Sequence, residues 1–466
     1  MNITADVLVV GAGIAGWTAA LLAEQNGAKV VLIDKSPNGL GDGNTLMTSG
    51  SFNTAGKKPR CNPVELYEAV MAEGVAYPDL ARAWANNCSR AVDWLKSCRI
   101  SIAESNVGSL RLEPETEISL APVYRKDVGR NILTKLKGRF QESGGSYSSE
   151  VEGIRLIRES GRIGGVVGRK GEEAVEFRSK STVLTIGGFS ANKEMVRKYI
   201  GHGAVECKLR GSKSCTGDGL RMALEVGAKA VNLKYFYGHL LSLKALTDDR
   251  FWPYPRLDSL VAEGILIDRN GNRFVDEGRG DVAVANELAR RDDVTGSSLI
   301  FDQQAWDNAG GDAQAIFPHT PPANPWLMEN DGCLYARETV QQLADALGID
   351  RSHLARTLES FNQAAERESF AGFPIPRTGK TRPLRALLYG LKVVPGITFT
   401  MGGVLINGRA QVLNSSDEPI PGLYAAGDAI GGLMGGYRGG YTGGLAQAIV
   451  TGILAGESAA GFVKKP

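Results

Sequence analysis

Histidine and cysteine are both sparse in this sequence, and neither is spaced to hold a metal. The four histidines, His202, His239, His319 and His353, stand far apart, and Cys61, Cys88, Cys98, Cys207, Cys215 and Cys333 form no CxxC pair. That pattern excludes a zinc or iron–sulfur site, so no metal is expected, and the thiols read as reduced, buried small hydrophobes. Charge of one sign is lacking too. Against 51 Asp+Glu, 53 Lys+Arg leave a net +2, too little to draw the chain to nucleic acid or an anionic membrane. No stretch approaches the ~18 consecutive apolar residues of a membrane span, so no transmembrane segment is expected. The first apolar run, Val7 to Val10, follows Asp6 and stops at Gly11, too short for a secretory signal. A cytoplasmic location is the expectation. There is no internal repeat and no low-complexity linker.

What is abundant is glycine. It fills 59 of 466 positions, about 13% against the usual ~7%. With no collagen-like period, such a surplus marks places where backbone turns sharply or lies against a ligand. The first is Gly11-Ala12-Gly13-Ile14-Ala15-Gly16, between a buried β-type run and a helical pattern from Trp17 to Asn26 closed by Gly27. A second strand, Lys29 to Ile33, ends at Asp34, followed by Lys35. This is a βαβ unit with Gly-x-Gly-x-x-Gly at its first turn and an acid 23 residues after Gly11, the dinucleotide-binding pattern. Phosphates belong at the helix N-terminus, and Asp34 takes ribose hydroxyls.

A polar glycine-rich loop follows, Gly41 to Ser51. Helical patterns fill roughly 64–98 and 129–143. Residues 150–185 alternate as strands with turns at Gly161 and Gly171, ending in Val183-Leu184-Thr185-Ile186-Gly187-Gly188. Thr216-Gly217-Asp218-Gly219 opens another helix, with Asp218 placed to cap it. From about 236, aromatics and prolines such as Phe251-Trp252-Pro253-Tyr254-Pro255 replace the α/β rhythm. After Pro376 the glycine-dense pattern returns, with the last helix starting near Gly443-Gly444-Leu445. The expected organisation is α/β: a Rossmann-like FAD-binding domain in two parts, 1–235 and 376–466, with an inserted α+β substrate-capping domain at 236–375.

FAD rather than NAD follows from a second signal far from the first. A strand-like Gly422–Ala426 ends at Gly427-Asp428. An acid there can accept ribitol hydroxyls, and the following helix would aim its positive end at the flavin pyrimidine ring.

Val9-Val10-Gly11 to Gly16, Gly43-Asn44-Thr45 to Gly50, Thr185 to Ser190, Thr216 to Gly219 and Pro421 to Asp428 occur in order. Together they resemble the flavoprotein family of fumarate reductases, succinate dehydrogenase flavoprotein subunits and 3-ketosteroid dehydrogenases, across essentially the whole chain. The resemblance implies FAD contacts at Ala15, Asp34, Asn44, Ser49, Gly50, Val151, Asp218, Asp428, Gly444 and Leu445. With them stand Gly11, Gly13, Gly16, Lys35, Thr45 and Gly187 of the same motifs. Asp34 and Asp428 are Asp where the family often carries Glu. Members that attach FAD covalently do so through a His after the Asn-Thr pair; this chain has none there, so non-covalent FAD is expected.

The reaction implied is hydride transfer at flavin N5 to or from a carbon, with proton transfer at its neighbour. His239 matches the family's substrate-binding His. Arg438, ten residues after Asp428, matches the Arg that holds a substrate carboxylate, the alternative being a solvated Arg in a glycine loop. Arg279 follows Arg273-Phe274-Val275-Asp276-Glu277, near where fumarate reductases place an Arg proton donor. A salt bridge to Asp276 or Glu277 is its alternative. Phe399 replaces a His that dicarboxylate-reducing members carry. The Ile397-Thr398-Phe399-Thr400 form, with Tyr389 upstream, looks more like the tricarballylate dehydrogenase subgroup. Members of that subgroup desaturate a small carboxylic acid and pass electrons to a separate partner protein. Thr398 and Thr400 either bind a polar substrate group or pack, and Tyr437 and Tyr441 are either acid/base phenols or packing residues. The leading expectation is an FAD-dependent enzyme acting on a C–C bond beside a carboxylate or carbonyl. Its rivals are a desaturase of a larger hydrophobic ketone, a fumarate reductase-like reductase, a non-catalytic electron-relay flavoprotein, and a nicotinamide-linked enzyme.

Overall fold

The computed structural model describes residues 2–48, 50–53, 62–104, 109–113, 126–249, 254–311 and 321–464. Ser49, Cys61, His319 and the Phe251-Trp252-Pro253 stretch lie outside the described residues. Strand β1 (Asn2–Val10), helix α1 (Ile14–Gln25) and strand β2 (Val30–Ile33) form the expected βαβ unit. β1 and β2 run parallel in the register Val7↔Val30 to Val10↔Ile33. All four residues of β2 are buried, as an interior parallel strand requires. The helical patterns expected at 64–98 form two helices, α2 (Pro63–Met71) and α3 (Pro78–Ser97). Gly74, with φ +74°, turns the chain between them, and Pro78 opens the second.

Helix α4 (Lys126–Glu142) precedes β3 (Ser146–Ser148), which joins the sheet beside β2. β4 (Glu152–Glu159), β5 (Arg162–Lys170) and β6 (Glu173–Leu184) make an antiparallel wing, and β6 returns parallel to β1.

A second sheet then begins with β7 (Lys208–Leu209). After helix α5 (Asp218–Glu225) come β8 (Phe236–Ser242), β9 (Ile265–Ile267), helix α6 (Asp281–Ala289), β10 (Ser298–Asp302) and β11 (Leu334–Arg337). Helices α7 (Val340–Leu347) and α8 (Arg351–Glu366) cover its outer face. The long strand β12 (Leu388–Thr400) pairs with β7, β8, β10 and β11. The second sheet therefore draws a strand from each flank of the 236–375 insert expected from composition. β13 (Gln411–Leu413) and β14 (Pro419–Ala425) return to the first sheet, where β14 lies parallel to β6.

Helix α9 (Gly444–Val463) closes the chain. Among the described residues it alone is long and apolar enough to cross a membrane, a length the sequence reading did not credit. It is instead mostly buried, lying on α1 so closely that a Cβ on Gly452 would sit 2.8 Å from the Ala15 carbonyl oxygen. Beside the end of β12 and the start of α9, a small separate cluster forms: Val282, Phe399, Met401 and Met434, with Tyr235, Tyr237 and Tyr441 against it.

Candidate active site

The turn after β1 is built from backbone. A Cβ on Gly16 would lie 1.8 Å from the Gly11 carbonyl oxygen, and one on Gly11 would lie 2.5 Å from the Thr185 oxygen. Gly13 differs: its nearest protein neighbour would be the Thr45 Oγ1 at 3.6 Å. No protein atom forbids a side chain there. The space it keeps open is the kind a close-lying phosphate needs. Gly13 caps α1 without any side-chain hydrogen bond, so the first turn offers N–H groups to an anion. The Ile14 N–H donates to Thr45 Oγ1 (3.0 Å). Asp34 accepts from the Ala12 N–H (2.7 Å) and the Ser36 N–H (2.8 Å), which ties β2 to the turn. Burial nevertheless raises its pKa. The Val151 N–H donates to the Asp34 carbonyl (2.9 Å).

Four further segments converge here. Lys35 Nζ donates to Asp218 Oδ2 (2.8 Å) and Thr216 Oγ1 (2.7 Å). Asp218 is thus the first residue of α5, engaged with Lys35, and the capping position belongs to Gly217. Asn44 Nδ2 donates to Asp428 Oδ2 (3.1 Å), while Asn44 Oδ1 accepts from the Ser212 N–H (2.8 Å). Desolvation pushes the Asp428 pKa up to about 6, against the opposing Asn44 bond. A carboxylate so short of donors suits a ligand that brings hydroxyls. Gly50 (φ +84°) and Gly187 (φ +79°) shape the neighbouring loops. Leu445 is buried in the first turn of α9. The Gly427 N–H donates to Thr451 Oγ1 (3.0 Å), fixing the Gly427-Asp428 turn on that helix.

The second cluster faces this cradle from the other sheet. Tyr237 stacks on Tyr441 with centroids 4.0 Å apart and planes 14° from parallel. Phe399 lies 5.3 Å from Tyr237, and His239 meets Tyr237 edge-on at 4.9 Å. Tyr441 Oη accepts the Gly444 N–H (3.0 Å) at the start of α9. Burial raises the pKa of both phenols.

His239 is only 3% exposed. Its Nδ1 lies 2.7 Å from Asp281 Oδ2 and 3.0 Å from Asp258 Oδ1, and Arg256 Nη1 stands 3.4 Å from Nε2. The two carboxylates beside Nδ1 make that nitrogen a hydrogen-bond donor. Asp281 reaches the ring because α6 starts there, and Asn286 of α6 clamps β8 through the Phe236 N–H and carbonyl. Burial alone would raise the Asp258 pKa, but His239, Arg256 and Arg210 reverse it, and the carboxyl is held below its usual range. The His239, Asp258 and Asp281 ligand atoms lie within 4.8 Å of one another, close enough for a cation. Arg256, with Nε 3.7 Å from Asp258 Oδ2, supplies positive charge at that place.

Not all the expected residues meet here. Arg279 donates through Nε and Nη2 to the Tyr437 carbonyl (2.9 and 2.7 Å), pairs with Glu287 (3.4 Å) and stacks on the Tyr437 ring (4.3 Å). Its guanidinium ties down the 436–441 loop. The salt bridge expected to Asp276 or Glu277 is absent among the described residues: Glu277 holds Arg273 and Arg377 instead. Arg438 and Tyr437 are exposed, and the Arg438 backbone N–H donates to Glu73 (2.8 Å). The residue of that loop inside the cluster is Tyr441. Thr400 accepts the Phe189 N–H (3.2 Å) and packs on Gly188. Thr398 accepts from Arg210 Nη1 (3.0 Å). Tyr389 stacks on Phe301 in the second sheet. Arg210, Arg256, Asp258 and Asp281 are the contributors sequence reasoning missed. One of them had a signal: Gly396 inside a strand, whose Cβ would meet the Arg210 stem.

The family of FAD binding domains matches residues 6–444. The chain belongs to that family, among the fumarate reductase-like flavoproteins. The flavoprotein is 30% identical over 452 residues to a probable fumarate reductase of Shewanella frigidimarina, covering 92% of this chain and 70% of that protein. It is 29% identical over 461 residues to a urocanate reductase of Eggerthella lenta, covering 91% and 70%. The open conformation of a flavocytochrome c3 fumarate reductase superposes with a TM-score of 0.69 at 27% identity, over 99% of this chain and 79% of that one. A 3-ketosteroid-Δ4-(5α)-dehydrogenase of Rhodococcus jostii RHA1 shares the fold, with a TM-score of 0.74 at 21% identity over 98% and 97%. FAD is the cofactor, and the flavoprotein is an oxidoreductase acting on CH–CH groups. The cradle fits it: Gly13 leaves room for the pyrophosphate, and Asp34 and Asp428 await hydroxyl donors.

Proposed function

We propose that the flavoprotein reduces the carbon–carbon double bond of a small unsaturated acid. Dehydrogenation of a saturated acid such as tricarballylate is the reverse of the same reaction. The observation that carries this reading is the Tyr237–Tyr441–Phe399 shelf at the start of α9, with His239, Arg256 and Arg210 at its edge. The relatives named as fumarate and urocanate reductases support it. When bound, FAD supplies the hydride equivalent. The shelf holds a flat conjugated substrate and excludes water, while the cations offset negative charge developing on its carbonyl end. Tyr441, its hydroxyl oriented by the Gly444 N–H at the edge of the shelf, is the residue we assign to give the proton that completes the reduction. Electrons reach the flavin from a separate donor.

The test is anaerobic. Photoreduced protein is mixed with fumarate, acrylate or urocanate, and oxidised protein with tricarballylate, while the flavin band is followed. Return of the yellow band with an unsaturated acid supports the reading, and bleaching by tricarballylate supports its reverse. If only 4-androstene-3,17-dione responds, the substrate is instead a hydrophobic ketone, as the apolar face of the shelf would allow.

A further inference from the structure

We infer that Arg210, buried against β12, holds the substrate's carboxylate. The inference deepens the reading just given and rests on it for the substrate class. Arg210 follows β7, and its N–H donates to the Ile397 carbonyl (2.7 Å), which fixes its backbone against β12. Its stem lies flat across that strand: a Cβ on Gly396 would come within 2.4 Å of Arg210 Cδ. Gly211, just beyond, is held so tightly that a Cβ would lie 2.0 Å from the Thr398 oxygen.

Its charge is the unbalanced one. Among the described residues, Arg256 lies near Asp258, His239 lies between Asp258 and Asp281, and Arg279 has Glu287. Arg210 is 7% exposed and has no carboxylate within ion-pair distance there. Nη1 is spent on Thr398 Oγ1, but the buried Nε has no hydrogen-bond partner. A guanidinium taken out of water with an unmet donor is costly. A carboxylate meeting the edge that carries Nε would satisfy both the charge and the donor, in the forked geometry arginine favours. Tyr237 and Asp258 both feel the Arg210 charge, and Arg210 is bonded to Thr398, the neighbour of Phe399, so the bound acid would extend over the aromatic shelf. Arg438, the residue expected in this role, is exposed.

The experiment titrates oxidised holoenzyme with fumarate and with uncharged fumaramide, reading Kd by calorimetry so that no turnover is needed. Arg210→Met is expected to weaken fumarate roughly 30-fold, the loss of one charge-assisted contact, and to move fumaramide by less than about threefold. Arg210→Lys keeps the charge but not the fork, and should fall between the two. It carries the decision if the Met variant does not retain flavin. Equal fumarate affinity in wild type and the Lys variant, or a larger loss at Arg438→Met, overturns the inference. So does a variant whose flavin midpoint potential shifts while its fumarate affinity stays, because Arg210 would then serve the flavin. Arg210-dependent fumarate binding without reoxidation of reduced flavin keeps the inference and refutes the proposed reduction.

Discussion

The cofactor cradle and the substrate cluster are built by opposite means. In the cradle recognition is mainly backbone: residues 11–16 make a turn in which Gly11 and Gly16 have no room for a Cβ, and a few acids add direction. The cluster is made of side chains delivered by β7, β8, the start of α6, the end of β12 and the loop before α9, residues that span 210 to 441. Substitution should therefore break the first region as structure and the second as chemistry.

The largest effect expected is at Gly16. A Cβ there meets the Gly11 carbonyl at 1.8 Å and Thr185 Oγ1 at 2.8 Å, and a backbone oxygen has nowhere to move. Gly16→Ala should lose both flavin and cooperative unfolding, read from absorbance per protein and a thermal melt. A yellow, stable variant would break the distinction. Gly13→Ala sharpens it, because its Cβ stays 3.6 Å from protein: the apoprotein melt should hold while flavin content drops.

On the cluster side, Tyr441→Phe should retain flavin and lose about 10²- to 10³-fold in turnover, the scale of a missing general acid. Equal activity in the two proteins would move the proton donor elsewhere. Asp281→Asn removes a charged partner from His239 Nδ1. It should cost roughly 10- to 100-fold in kcat/KM, with flavin content and melting temperature unchanged. A variant that loses activity only in step with its stability would leave Asp281 a merely structural residue.

The same contrast explains what the sequence could reveal. Gly11-x-Gly13-x-x-Gly16 with Asp34, and Gly427-Asp428, are legible because each motif is complete within one turn or one βαβ unit, and the fold only repeats what spacing implies. The helix at α9 and the strands around Gly161 and Gly171 are legible for the same reason. The cluster is not, since His239 acquires Asp258 and Asp281 only when β8 pairs with β12 and α6 docks on it. Position relative to Asp428 points to Arg438, yet the loop folds so that Tyr441 enters and Arg438 faces out. The sequence neighbours of Arg279 make it a candidate proton donor, but its neighbours in space are the Tyr437 carbonyl and Glu287. Side-chain function travels poorly along the chain when pairing across sheets decides it.

The smallest effect expected is electrostatic and lies in the cradle, at Asp428. Its pKa in the folded chain is pushed up to about 6 from an ordinary 3.8, because burial disfavours the charged carboxylate more than Asn44 favours it. The folded apoprotein therefore holds this proton over a range where the unfolded chain has released it. Linkage then requires apoprotein stability to fall as pH rises from about 4 to about 6 and to level off above, by on the order of 1–3 kcal/mol. Asp428→Asn cannot titrate, so the apo variant should match wild type near pH 4 and melt higher at pH 7.5, while binding FAD more weakly. A melting difference that does not grow with pH would mean the carboxylate is already well solvated. The cradle would then recognise hydroxyls through ordinary hydrogen bonds alone. If the difference does grow, the apoprotein carries a desolvation cost at Asp428 that hydroxyl donors offset on binding, and the cradle, like the cluster, holds a desolvated charged group that a ligand can satisfy.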